Sequence, residues 1–160
     1  MKKFLLSTLI LTLIFFTGCA DSHEVKTPSE TSIEKNSTQE KETITTKIKI
    51  TVNGETFDAT LDNNPSVDAF IKKLSLEVTM TELNGNEKYY KFGENFPSHD
   101  ERVGKISTGD LMLYDSSYIV LFYKDFSTGY SYTRLGKVLN IEKLAKTLGG
   151  GNVTVKFEKY

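Results

Sequence analysis

The sequence lacks tryptophan and has only one cysteine and two histidines among its 160 residues. One cysteine excludes an intrachain disulfide framework and a zinc site built from several thiolates. Two histidines leave too few ligands for a multi-histidine centre, so we expect no metal and no cofactor. Neither positive nor negative charge dominates, because the chain has 20 basic and 21 acidic residues. This balance argues against a nucleic-acid partner bound through a broad basic surface.

Long apolar runs are scarce as well. The run from Phe4 to Phe16 follows a short basic start and is interrupted by three hydroxyl residues. It is too short to span a membrane, which takes about 20 apolar residues, and is typical of a secretory signal. It ends in Phe16-Thr17-Gly18-Cys19, which resembles the signal of bacterial lipoproteins, although Phe16 stands where leucine is usual.

The lipoprotein resemblance implies a cellular location for the protein. It implies that residues 1–18 are a signal peptide, removed before Cys19, and that Cys19 carries the lipid. The chain would then be anchored on the extracytoplasmic side of the cell membrane or outer membrane, with the membrane as its partner. The alternative is a soluble secreted protein cut nearby, in which Cys19 is an ordinary free thiol.

Composition divides the remaining chain into two parts. Residues 19–46 are rich in Ser, Thr and Glu and carry few large apolar side chains, so we interpret them as a disordered tether behind the lipidated cysteine. Residues 47–160 hold all 15 aromatic residues that lie outside the signal and form the predicted folded domain. Their acidic and basic residues cancel, so no strong field is expected around them.

Alternating apolar residues predict a mainly β domain of about eight strands. Asn53-Gly54 and Asn84-Gly85 are typical two-residue hairpin turns. Asn64-Pro65 favours a helix start, and Asn140 is the expected N-cap of a second short helix that runs from Ile141 to Leu148. An antiparallel barrel or sandwich whose open ends are plugged by two helices fits this order best.

Several blocks, in this order, resemble the bacterial cyclophilin-like fold proteins, whose biochemical role is mostly unassigned. The resemblance covers nearly all of residues 47–160 and implies a cyclophilin-like antiparallel β-barrel of eight strands with two helices. The main blocks are Ile48 to Gly54, Asn84 to Tyr90, Gly109 to Tyr114, Leu121 to Lys124, Tyr130 to Gly136 and Leu148 to Val155.

True cyclophilins are peptidyl-prolyl isomerases, in which an arginine beside an apolar pocket promotes rotation about the X–Pro amide. Their Phe-Met-x-Gln-Gly-Gly signature is absent here, and the only glutamine is Gln39 in the tether. The isomerase site therefore does not carry over residue by residue. We predict no catalytic residue.

The remaining candidate is a ligand-binding pocket centred on Arg134. Arginine can bind a carboxylate or carbonyl with its planar group while it stacks on a ring. The aromatic residues expected around it are Tyr132, Tyr90, Phe92, Tyr114, Phe122 and Phe126. The alternative is that these rings are barrel core and that Arg134 forms a structural ion pair with an acid such as Asp110.

Three functions follow from these observations. The first is a non-catalytic, membrane-anchored binding module for a small molecule or peptide. The second is a divergent prolyl isomerase that assists the folding of exported proteins. The third is an interaction partner of another envelope protein. An arginine that lines an open groove favours the first two, whereas one fixed by carboxylates favours the third.

Overall fold

The computed structural model describes residues 45–160 of the chain. Residues 1–44 lie outside this range, and so do the predicted signal peptide, Cys19 and nearly all of the predicted tether. The folded part begins at Thr46, one residue before the predicted boundary, because Thr46 already pairs with Leu61. Among the described residues, no helix has the length and apolar character needed to cross a bilayer.

The described chain contains eleven strands and two helices. The strands are β1 (Thr46–Val52), β2 (Glu55–Leu61), β3 (Leu76–Leu83), β4 (Glu87–Lys91), β5 (Glu101–Arg102), β6 (Lys105–Ile106), β7 (Asp110–Tyr114), β8 (Tyr118–Phe122), β9 (Phe126–Ser127), β10 (Ser131–Val138) and β11 (Val153–Lys159). The helices are α1 (Pro65–Ile71) and α2 (Leu144–Leu148).

Eight strands form a closed antiparallel barrel, which confirms the predicted fold class. Their order is β2-β1-β11-β3-β4-β8-β7-β10, and β10 pairs with β2 to close the ring. Strand β5 adds to the free part of β10, while β6 and β9 form a separate two-stranded sheet. Alternate side chains of the barrel strands point inward and form the main core, which also includes Val67 and Phe70 of α1 and Leu144 and Leu148 of α2.

The local signals explain most of these elements. Asn53 and Gly54 adopt positive φ angles in the turn between β1 and β2, as a type I′ hairpin requires. At the start of α1, the side chain of Asn64 accepts a hydrogen bond from the amide of Val67, and Pro65 occupies the first helical turn. Both features were predicted from the sequence.

The predicted N-cap of the second helix is wrong. The helix α2 begins at Leu144 and not after Asn140, and its N-cap residue, Lys143, makes no side-chain capping bond. The carbonyl of Ile141 accepts a hydrogen bond from the amide of Leu144, so Ile141 belongs to a preceding turn. Its side chain lies close to Gly109, where an added Cβ would be 2.8 Å from Ile141 Cγ2.

Lys88 joins strand β4 to the segment after α2. Its side chain is fully buried, and its ammonium donates hydrogen bonds to the Glu82 carboxylate and to the carbonyl oxygens of Gly149 and Gly151, both at 2.7 Å. These acceptors supply the pairing that a buried charge requires. Burial opposes ionisation of Glu82, but hydrogen bonds from Lys88 and Tyr123 hold its pKa below the usual value.

The barrel closes at a position where only glycine fits. Strand β10 has a bulge between Arg134 and Gly136, and Gly136 pairs with Leu61 of β2. A Cβ at Gly136 would lie 2.1 Å from the carbonyl oxygen of Thr60. Any side chain at this position would therefore push β2 and β10 apart.

We expect Gly136→Ala to lower the free energy of unfolding by about 2 kcal/mol or more, because the added methyl group overpacks a backbone contact. Gly93→Ala is the control, since a Cβ there meets no atom within 4 Å. Urea unfolding followed by tyrosine fluorescence measures both changes. Equal stability of the two variants would contradict the closure argument.

Candidate functional site

A second apolar cluster lies on the outside of the barrel. Strands β4, β7, β8 and β10 turn one set of side chains into the barrel core and the other set outward. The small sheet of β6 and β9 covers the outward set. Next to these two strands, the amide of Thr128 donates a hydrogen bond to the carbonyl of Gly104 at 3.0 Å. The buried members of this cluster are Ile106, Met112, Val120, Phe122 and Tyr132.

A cavity of about 550 Å³ opens beside this outer cluster. Five of the eight tyrosines line it. Neighbouring rings contact each other, with centroid distances of 5.5 Å for Tyr114 and Tyr132 and 6.0 Å for Tyr114 and Tyr130. The aromatic lining consists of Tyr89, Tyr114, Tyr118, Phe126, Tyr130 and Tyr132.

One carboxyl group, Glu87, lines this aromatic cavity. Glu87 lies on β4 directly opposite Phe122 of β8, and its side chain is only 9% exposed. Burial, together with the nearby negative charge of Glu82, raises the pKa of Glu87 to about 6. Burial and the charge of Glu87 in turn raise the pKa of Tyr132 to about 12. The carboxylate and the ring therefore share one poorly hydrated environment.

A second cavity, of about 520 Å³, lies next to the first and shares Tyr132 with it. Arg134 is exposed here, beside Pro97 and His99, and its carbonyl accepts a hydrogen bond from Asn64 Nδ2 at 2.9 Å. Within residues 45–160 its guanidinium forms no ion pair. Asp110, the suggested partner, lies instead 3.5 Å from Lys137 Nζ.

Five of the seven predicted ligand-binding residues lie at the two cavities. Tyr132, Tyr114 and Phe126 line the aromatic cavity, and Phe122 lies fully buried beneath it, with its ring 5.5 Å from Tyr132 and 5.7 Å from Phe126. Arg134 lines the adjacent cavity.

Tyr90 and Phe92 are not part of either cavity, because they lie on the opposite face of the sheet. Their rings, 5.1 Å apart, pack with the barrel core, and Phe92 also contacts Phe96 at 4.7 Å. Ligand binding by the predicted set stays a prediction.

Four residues that line the aromatic cavity were not predicted from the sequence: Glu87, Tyr89, Tyr118 and Tyr130. The strand Glu87-Lys88-Tyr89-Tyr90-Lys91 contained a usable signal, since its alternation puts Glu87 and Tyr89 on one face and Lys88 and Tyr90 on the other. The closure of the barrel decides which of these faces points outward, and the local alternation does not predict that closure. Within the described part of the chain, no group of three or more His, Cys, Asp or Glu is placed to hold a metal ion.

The burial of Glu87 makes stability depend on pH. Its pKa is higher in the folded chain than the ordinary value of 4.5, so the ionised carboxylate opposes folding above about pH 6 and this cost is absent below pH 4.5. Glu87→Gln is therefore expected to raise the free energy of unfolding at pH 7.5 by about 1 kcal/mol and to give no such gain at pH 4.

Urea unfolding of the two proteins at each pH measures this difference. Exposed Glu77→Gln is the matched control and should change stability little at either pH. An equal effect of Glu87→Gln at pH 7.5 and pH 4 would show that the carboxylate is not destabilised by its surroundings.

The comparisons with known proteins agree on the fold. Residues 50–158 match the family described as "Cyclophilin-like family". The solution structure of the hypothetical protein AF2241 from Archaeoglobus fulgidus is similar, with 16% identity, a TM-score of 0.52 and coverage of 73% of this chain and 96% of that one. The structure of McbB in complex with tryptophan is also similar, with 14% identity and a TM-score of 0.51. That match covers 70% of this chain but only 44% of McbB. No curated protein matches.

Proposed function

The chain belongs to the cyclophilin-like family, and we propose that it is a membrane-anchored, extracytoplasmic lipoprotein whose domain binds a small molecule or peptide without catalysing a reaction. The observation that carries the binding proposal is the open aromatic cavity outside the barrel. It is separate from the core that holds the barrel together, because its rings belong to the outer cluster or to the surface.

The size and lining of the aromatic cavity support a ligand site. Small-molecule sites usually have volumes of about 300–1,000 Å³ and combine apolar walls with a few polar groups. The cavity falls in this range at about 550 Å³, and Glu87 and Asn86 supply polar groups beside the rings. Tyr130, at the rim, is 64% exposed, so its ring is accessible to a ligand that enters the cavity.

The adjacent cavity extends the proposed site toward longer ligands. Tyr132 lines both cavities, so a peptide that lies across this ring would contact the tyrosines on one side and Arg134 on the other. The guanidinium of Arg134 has no carboxylate partner in residues 45–160, which leaves its donors available for a carbonyl or carboxylate of the ligand.

We expect Tyr130→Ala to weaken ligand binding at least fivefold, because it removes an exposed wall of the aromatic cavity. Tyr160→Ala is a matched control, since Tyr160 is 65% exposed and lies beside Lys49, outside both cavities. A fragment and short-peptide library, screened by the shift in melting temperature, provides the ligands. Ligands that lose their shift equally in both variants would contradict the proposed site.

A divergent prolyl isomerase is the second candidate, and the free guanidinium of Arg134 beside an aromatic cavity favours it. Against it, the glutamine-containing signature of true cyclophilins is missing, and residues 45–160 contain neither glutamine nor tryptophan. We expect no acceleration of cis–trans exchange in an X–Pro peptide above the uncatalysed rate. Turnover that disappears in Arg134→Ala without loss of fold would make the protein an isomerase.

The anchor is proposed from the apolar run and Cys19 alone. Two or more acyl chains give stable membrane attachment, whereas a free thiol gives none. We therefore expect the wild-type chain to incorporate labelled palmitate in cells and Cys19→Ala to incorporate none. Unchanged incorporation of the label in this variant would contradict lipidation at Cys19.

A further inference from the structure

Glu87 is a buried carboxylate without a partner. The residue is only 9% exposed, and no hydrogen-bond donor or cation of residues 45–160 contacts its carboxylate, whose oxygens are reached only by solvent in the cavity. The next residue, Lys88, does not serve as its counterion, because that side chain lies on the opposite face and its ammonium bonds to Glu82, Gly149 and Gly151. Buried charges are normally paired, so an unpaired one at a cavity wall needs an explanation.

Asn86, the neighbour of Glu87, presents a second unused acceptor. It also lines the aromatic cavity, and its side-chain oxygen Oδ1 is buried without a hydrogen-bond partner among the described residues. Buried polar atoms are nearly always satisfied in folded proteins. Two adjacent acceptors that lack donors call for a group that carries several N–H donors.

The rings around these acceptors favour positive charge. The face of a tyrosine ring carries negative potential and attracts a cation within about 6 Å of its centroid. One ring at the border already does so, since Lys91 Nζ lies 5.0 Å from the centroid of Tyr118. None of the residues that line the cavity is Lys, Arg or His, so no lining side chain supplies a cation to its interior.

We propose that this cavity binds the protonated amine of an organic ligand, with the ammonium beside Glu87 and Asn86 and the apolar part of the ligand against the tyrosine rings. The inference rests on the proposed binding function and names the chemical class of its ligand. An ammonium group offers three donors and one positive charge, which match one unpaired carboxylate and one unpaired amide oxygen.

Burial and pairing explain why this ligand class is preferred over a neutral one. With a pKa of about 6, Glu87 is mostly ionised at pH 7.5 and bears the desolvation cost of its charge. A bound ammonium offsets that cost, whereas a hydroxyl group only donates a hydrogen bond. A carboxylate in the same place adds a second negative charge to a site that has no cation.

Three probes of one size test the proposal. Phenethylammonium, 2-phenylethanol and phenylacetate share a ring and a short chain but are positive, neutral and negative at pH 7.5. Isothermal titration calorimetry of the full chain, in a non-ionic detergent, gives their dissociation constants. We expect phenethylammonium to bind at least fivefold more tightly than 2-phenylethanol and phenylacetate to bind most weakly.

Glu87→Gln isolates the role of the charge, because glutamine keeps the shape of the side chain and removes its negative charge. We expect phenethylammonium to lose at least fivefold in affinity in this variant while 2-phenylethanol binds as before, which also shows that the cavity is intact. Exposed Glu77→Gln should leave all three dissociation constants unchanged. It is the matched control for loss of one surface carboxylate.

The outcomes distinguish failure of the amine inference from failure of the proposed binding function. If all three probes bind alike, or if Glu87→Gln leaves the preference for phenethylammonium intact, the cavity is a binding site but the inference of an amine ligand is wrong. If no probe binds the wild-type chain, both the inference and the proposed binding function of this cavity fail. A preference for phenethylammonium that only Glu87→Gln removes supports the inference.

Discussion

The contact between β10 and β2 is the constraint on which the rest of the structure depends. The bulge in β10 and the missing side chain of Gly136 let that strand approach Thr60 and Leu61 and close the ring of eight strands. The same strand carries Tyr132, which lines both cavities, and Arg134, which lines the second. Closure of the barrel therefore also fixes the relative position of the two cavities.

Closure divides the aromatic residues between two environments. On β4, Tyr90 packs into the barrel while Tyr89 faces the outer cluster, and on β8 both faces are buried. The small sheet of β6 and β9 covers the outer cluster only in part, and the aromatic cavity opens at its edge. A ring on this face can contact a ligand without contributing to the closed core.

The sequence carried enough information for the fold but not for the whole site. Turn pairs such as Asn53-Gly54 and the cap at Asn64 act locally, so the order of the eight barrel strands and two helices was correct apart from the start of α2. The two-residue strands β5, β6 and β9 were not predicted. The strand Tyr118–Phe122 is apolar throughout, and its pattern does not tell inside from outside. Tyr90 and Phe92 were therefore grouped with Tyr132, although the barrel wall separates them, and Glu87 was not singled out.

Binding of an amine beside Glu87 in the outer cavity is best tested by a crystal structure of the protein soaked with phenethylammonium. We expect the ring of the ligand among Tyr114, Tyr118 and Tyr130, and its nitrogen within about 3 Å of a Glu87 carboxylate oxygen. A ligand bound elsewhere, or one seated in the cavity with its nitrogen turned away from Glu87, would contradict it.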